Sequence, residues 1–137
     1  APSKPLDFEE RIKAVSHFKS LPEAVTLAAA NKRVRNILAK FDGQLYQQLD
    51  NALLVEKEER FLAEKFADIM TQCQPKLVER DYQSALTLLS GLKEPVDEFF
   101  DAVMVMADDE AVKINRLTLL SQIRNSFFEV ADISVLQ

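Results

Sequence analysis

Gly43 and Gly91 are the only glycines in 137 residues, and that scarcity constrains the fold more than any other feature. Tight hairpins and bulges call for glycine, and β-strands show as two-residue alternation of apolar and polar side chains. This chain has almost no β-branched alternation. Its apolar residues recur at three- and four-residue steps, the repeat of a helix with one buried face. The expected fold is all-α, an antiparallel bundle of five to seven helices with short connections.

The punctuation agrees with that reading. Residues 1–6 read as a linker remnant and 7–137 as one helical domain. Asp7 is placed to cap a first helix running to Lys19, with Phe8, Ile12, Ala14, Val15 and Phe18 as its apolar stripe. Ser20-Leu21-Pro22-Glu23 reads as a capping box opening a second helix to about Lys40. Residues 41–54 are irregular. A long helix from Val55 to Cys73 should turn Phe61, Leu62, Phe66, Ile69 and Met70 inward and break at Pro75. Asp81 caps a helix from Tyr82 to Ser90 that Gly91 ends. Pro95 opens the next, expected to hold the run Phe99 to Met106 as core. Asp108 or Asp109 caps a last helix from Glu110 to Ala131, with Leu117, Leu120, Ile123, Phe127 and Val130 on one face.

Composition narrows the class. The chain carries 17 Lys and Arg against 22 Asp and Glu, a net charge of −5. The split is uneven: residues 1–50 hold eight basic and six acidic side chains (+2), residues 51–137 nine and sixteen (−7). That balance argues against a general nucleic-acid coating protein, though not against a local basic face. The single cysteine, Cys73, has no partner for an internal disulfide, so a reducing, cytoplasmic setting is expected. No run approaches the ~20 apolar residues of a membrane span, and no signal peptide is evident. The start at Ala1 without Met reads as a piece of a longer protein.

Catalytic chemistry finds little purchase. His17 is the only histidine, which leaves neither a nucleophilic triad nor a clustered zinc site. Asp97, Glu98, Asp101, Asp108, Asp109 and Glu110 resemble a carboxylate cluster, but Asp97 and Glu98 fall in one helix's first turn and Asp108 to Glu110 at another's start, where the dipole accounts for both groups without a metal. There is no glycine-rich phosphate loop. Neither a catalytic residue nor a metal or cofactor is expected within this segment.

One polar stretch stands out. In the second helix Lys32, Asn36 and Lys40 share a face, flanked by Arg33 and Arg35, with Asn31 beside them. Asn115, Arg116 and Arg124 form a polar line with Lys113 in the last helix. Lys and Arg suit phosphates, and Asn suits base edges. From the residues alone, an ordinary solvated helix face and an RNA-binding face both remain open. Among the aromatic residues, Tyr46 and Tyr82 read as free to stack on bases.

An ordered set of segments goes further. These are Leu21-Pro22-Glu23-Ala24, Ala28 through Val34, Asn36-Ile37-Leu38, Tyr82 through Leu86, Pro95 through Asp101, and the closing Ala131-Asp132-Ile133-Ser134. Together they resemble the C-terminal part of the beta subunit of bacterial glycyl-tRNA synthetase. The likeness covers nearly the whole chain from Asp7 and is weakest over residues 41–60. It implies a non-catalytic helical anticodon-binding domain, similar to that of arginyl-tRNA synthetase. The parent enzyme would attach glycine to its tRNA with ATP and magnesium, its catalytic site lying in the alpha subunit. The implied partners are glycine tRNA and that alpha subunit, with no DNA and no membrane. The residues expected to meet tRNA are Lys32, Arg33, Arg35, Asn36, Lys40, Asn115, Arg116 and Arg124. A competing role is a protein-interaction module for alpha/beta assembly, built on the apolar tail Ile133-Ser134-Val135-Leu136.

Overall fold

The computed structural model describes residues 5–131, without the side chains of residues 5–8, 11, 15, 18 and 131. Its α-helices are α1 (Pro5–Lys19), α2 (Pro22–Ala39), α3 (Lys57–Val78), α4 (Tyr82–Ser90), α5 (Lys93–Ala102) and α6 (Glu110–Ala131). A single 3-10 turn, Asn51–Leu53, interrupts the long α2–α3 connection, and no strand occurs among the described residues. The all-α expectation holds, with the helix count in the expected range.

Helix α6 is buried along much of its length. It packs on α2, α3, α4 and the 3-10 turn, while α1 lies against α4 and α2. Leu117, Leu120, Ile123, Phe127 and Val130 are all buried, as their spacing predicts. So are Asn115, Arg116, Thr118 and Leu119, which makes residues 115–120 an unbroken buried run. A helix surrounded by neighbours buries more than one stripe. Helix α4 supplies Ala85, Leu86 and Leu89 to the same core, and α2 supplies Leu27, Ala30, Val34 and Leu38.

Several boundaries differ from expectation, each for a local reason. Helix α1 begins at Pro5, so Pro5 and Leu6 belong to the helix, Asp7 lies inside it, and Ile12 is exposed. The rest of its expected stripe, apart from the half-buried Ala14, lies outside the described side chains. The Ser20 capping box does not form: Leu21 is the N-cap of α2, and the Ser20 hydroxyl donates to the His17 carbonyl at 2.6 Å. Helix α3 runs through Pro75 to Val78, because in the last turn the ring costs one hydrogen bond and the helix stops soon after. Arg80 adopts a left-handed conformation (φ 60°). Its N–H donates to the Leu77 carbonyl, and the next, from Asp81, reaches Lys76 at 2.8 Å, closing the paired bonds of a Schellman turn. Phe61, expected inside, is 46% exposed.

The run after Phe99 holds the largest correction. Helix α5 ends at Ala102, and Val103 is extended (φ −119°, ψ 128°). Val103 and Val105 are buried while Met104 between them is 71% exposed, the two-residue period of extended chain. The caps of the last helices are as expected. The Ser84 N–H and hydroxyl donate to Asp81 (3.2 and 2.7 Å), and the Val112 N–H donates to Asp109 at 3.0 Å. The bond from the Ser84 hydroxyl, with that from its N–H, lowers the Asp81 pKa below its ordinary value.

Candidate nucleic-acid interface

At about 100° per residue, α2 buries the sector of Leu27, Ala30, Asn31, Val34 and Leu38 and turns the rest outward. With Lys32 as origin, Asn36 falls at about +40°, Lys40 at about +80°, Arg33 at about +100° and Arg35 at about −60°. All five are exposed. The outer face of α2 is therefore basic across its width, with Arg33 on one flank and Arg35 on the other.

Each flank meets a different neighbour. On one, the Arg33 guanidinium sits over the Phe100 ring of α5, 4.4 Å from its centroid, with Asp97 at 4.0 Å. On the other, Arg35, Leu38 and Ala39 of α2 and Arg124, Asn125 and Phe128 of α6 line one cleft of about 350 Å3. The Arg124 guanidinium donates to Ser121 Oγ at 3.3 Å and Asn125 Oδ1 at 3.4 Å, both near the upper limit for such bonds. Arg124 is half-buried and thereby held toward the cleft rim rather than trailing in solvent. Cationic donors, an amide and an apolar wall occur together here, the combination that receives an unstacked base.

The structure does not bring Asn115 and Arg116 to this surface. Asn115 is fully buried; its Oδ1 accepts from the Asp50 N–H at 2.8 Å and its Nδ2 donates to the Asp50 carbonyl at 2.9 Å. Thr118, one turn away, accepts the Tyr46 N–H at 3.1 Å. These α6 side chains fasten the otherwise irregular stretch between α2 and α3. Arg116 is 5% exposed and donates to Glu59 Oε1 at 2.8 Å and to the Met104 carbonyl at 2.6 Å. Glu59, which is wholly buried, also accepts the Glu56 N–H at 3.0 Å. Both expected contacts are thus spent inside the fold. Asn31 is also interior, with neither side-chain polar atom hydrogen-bonded.

The stacking aromatics differ too. Tyr82 is buried, whereas Phe100 and Phe128 are half-exposed beside the two arginines. No group of three or more His, Cys, Asp or Glu side chains is placed to hold a metal among the described residues. His17 lies exposed at the end of α1. No helix among the described residues is long and apolar enough to cross a membrane.

Fold and face together define a small all-α module with a basic outer helix beside a cleft lined by Arg35, Arg124 and Phe128. A family model confirms the class: the DALR anticodon binding domain matches residues 27–134, and the chain belongs to that family. Among named relatives, the glycine–tRNA ligase beta subunit of Colwellia psychrerythraea is 65% identical over 136 residues, and that of Aliivibrio salmonicida 60%. The beta subunit from Vibrio parahaemolyticus is 59% identical over 137 residues. Each match takes in 99% of this chain and 20% of the relative, so the chain spans about a fifth of their length.

Proposed function

We propose that this domain binds the anticodon loop of glycine tRNA, as part of a subunit that supports ATP-dependent attachment of glycine. The observation that carries the reading is the outer face of α2, where Lys32, Arg33, Arg35, Asn36 and Lys40 stand exposed beside the Arg124 cleft. Lysines on that face hold loop phosphates, and the Arg35–Arg124–Phe128 cleft takes an extruded base. The relatives are named as beta subunits, which supports an alpha subunit as partner; the proposal extends to that subunit performing the chemistry with ATP and magnesium, in the cytoplasm. The tail Ile133 to Leu136, on which an assembly role would rest, lies outside the described residues.

Because most of the chain is acidic, affinity rests on this one face and falls steeply with salt. Titration with glycine tRNA and with an anticodon-swapped tRNA at low salt tests the reading. The expected result is preference for the glycine anticodon, and loss of that preference in a Lys32→Glu/Arg33→Glu/Arg35→Glu variant. Equal binding of both tRNAs, unchanged by the charge reversals, would refute it.

A further inference from the structure

The two arginines flanking α2 are not equivalent, and the difference lies in what stands behind Arg33. Its guanidinium rests over Phe100 at 4.4 Å. Phe100 is in turn held edge-on to the wholly buried Phe99, ring centroids 5.7 Å apart at 76°. Asp97 reaches Arg33 at 4.0 Å and is itself paired with Lys93 at 3.6 Å. An arginine that only neutralises phosphates needs no such backing, since a flexible cation serves. This one has an aromatic ring on one side of its guanidinium carbon, 4.4 Å from the centroid, while its side chain stays 48% exposed. Guanidinium planes are stacking surfaces for bases released from their stack.

We infer that Arg33, backed by Phe100, is a stacking platform for a second unstacked base of the bound RNA loop. The inference rests on the anticodon reading and adds to it a second base station across α2 from the Arg35–Arg124 cleft. A helix with its side chains is about 10–12 Å across, so two bases on opposite flanks require the strand to cross the face that carries Lys32 and Asn36. Phosphates between the two bases then lie over Lys32.

A platform and a phosphate clamp are separable by substitutions that keep the charge. The probe is an anticodon stem-loop RNA with the glycine anticodon, carrying a fluorescent adenine analogue at each loop position in turn. Arg33→Lys preserves the cation and removes the plane. It is expected to weaken binding by about five- to 150-fold with the salt slope unchanged. Quenching of the analogue should be lost at a single loop position. Phe100→Leu should shift the same position in the same direction, with circular dichroism verifying the fold. Lys40→Gln, by contrast, should lower the salt slope and leave the quenching pattern intact. If the unsubstituted chain binds the hairpin but Arg33→Lys binds within twofold of it, the platform is refuted and the anticodon reading stands. Weaker binding by Arg33→Lys with quenching retained at every loop position would likewise overturn it. Failure of the unsubstituted chain to bind any glycine anticodon loop removes both.

Discussion

Removing Arg116 should unfold the domain more readily while leaving its RNA face untouched. Arg116 is 5% exposed and Glu59 is wholly buried, so both charges have left water. Glu59 Oε1 receives the Arg116 bond at 2.8 Å and the Glu56 N–H at 3.0 Å, while Oε2 has no partner. Arg116→Met would leave a buried carboxylate with one backbone hydrogen bond, and would also release the Met104 carbonyl. Breaking a buried pair from one side costs about 3–5 kcal/mol. In urea a domain of this size has a slope of roughly 1–3 kcal/mol per molar, so the unfolding midpoint should fall by about 1 M or more. Glu59→Leu should cost a similar amount, by stranding the guanidinium. The double variant Glu59→Leu/Arg116→Met strands neither charge, so it should recover most of the loss, with a coupling of about 2 kcal/mol or more. At denaturant-free conditions, where Arg116→Met remains folded, tRNA affinity should equal that of the unsubstituted chain. A single-variant cost below about 1 kcal/mol, or a double variant equal to the sum of the singles, would refute the argument.

Two smaller effects follow from other polar groups. Asp81 caps α4 with its pKa lowered, so its contribution is present in full above the ordinary aspartate range and is lost as pH falls through the lowered folded value. The stability difference between the unsubstituted chain and Asp81→Ala should therefore be about 1 kcal/mol near neutrality and shrink in acid; a difference independent of pH would contradict the cap. Asn31→Leu should raise stability by about 1–3 kcal/mol, because it removes a buried amide that makes no hydrogen bond, and thermal unfolding reads the gain directly.

Helix positions were legible because their signal is local. The stripe from Leu117 to Val130 and the outward face of Lys32, Asn36 and Lys40 depend only on residues three or four apart. Asn115 and Arg116 were misplaced because a polar side chain is judged by what it meets, and their partners Asp50 and Glu59 lie 65 and 57 residues away. A usable hint was present: Arg116, Leu120, Ile123 and Phe127 follow helical spacing, so the arginine sits on the core stripe. The Phe99 to Met106 run failed for the opposite reason. Its composition fits a helix, and only the two-residue burial of Val103 and Val105 exposes it as extended chain. The platform at Phe100 and the wall at Phe128 were hidden because each needs an arginine from another helix.

The position of α6 also sets the order in which the fold can be completed on the ribosome. Every described element that packs closely on it precedes it in the chain. The 70 residues from 40 to 109 separate the end of α2 at Ala39 from the start of α6 at Glu110. At about 5–20 residues per second, the apolar face of α2 emerges roughly 4–14 s before the helix that covers it. During that interval Leu27, Val34 and Leu38 lack their final neighbours, as do Asp50 and Glu59. Stalled or shortened chains that stop before Glu110 should therefore engage chaperones and expose their helices to proteases, whereas chains extended past Val130 should close as a unit.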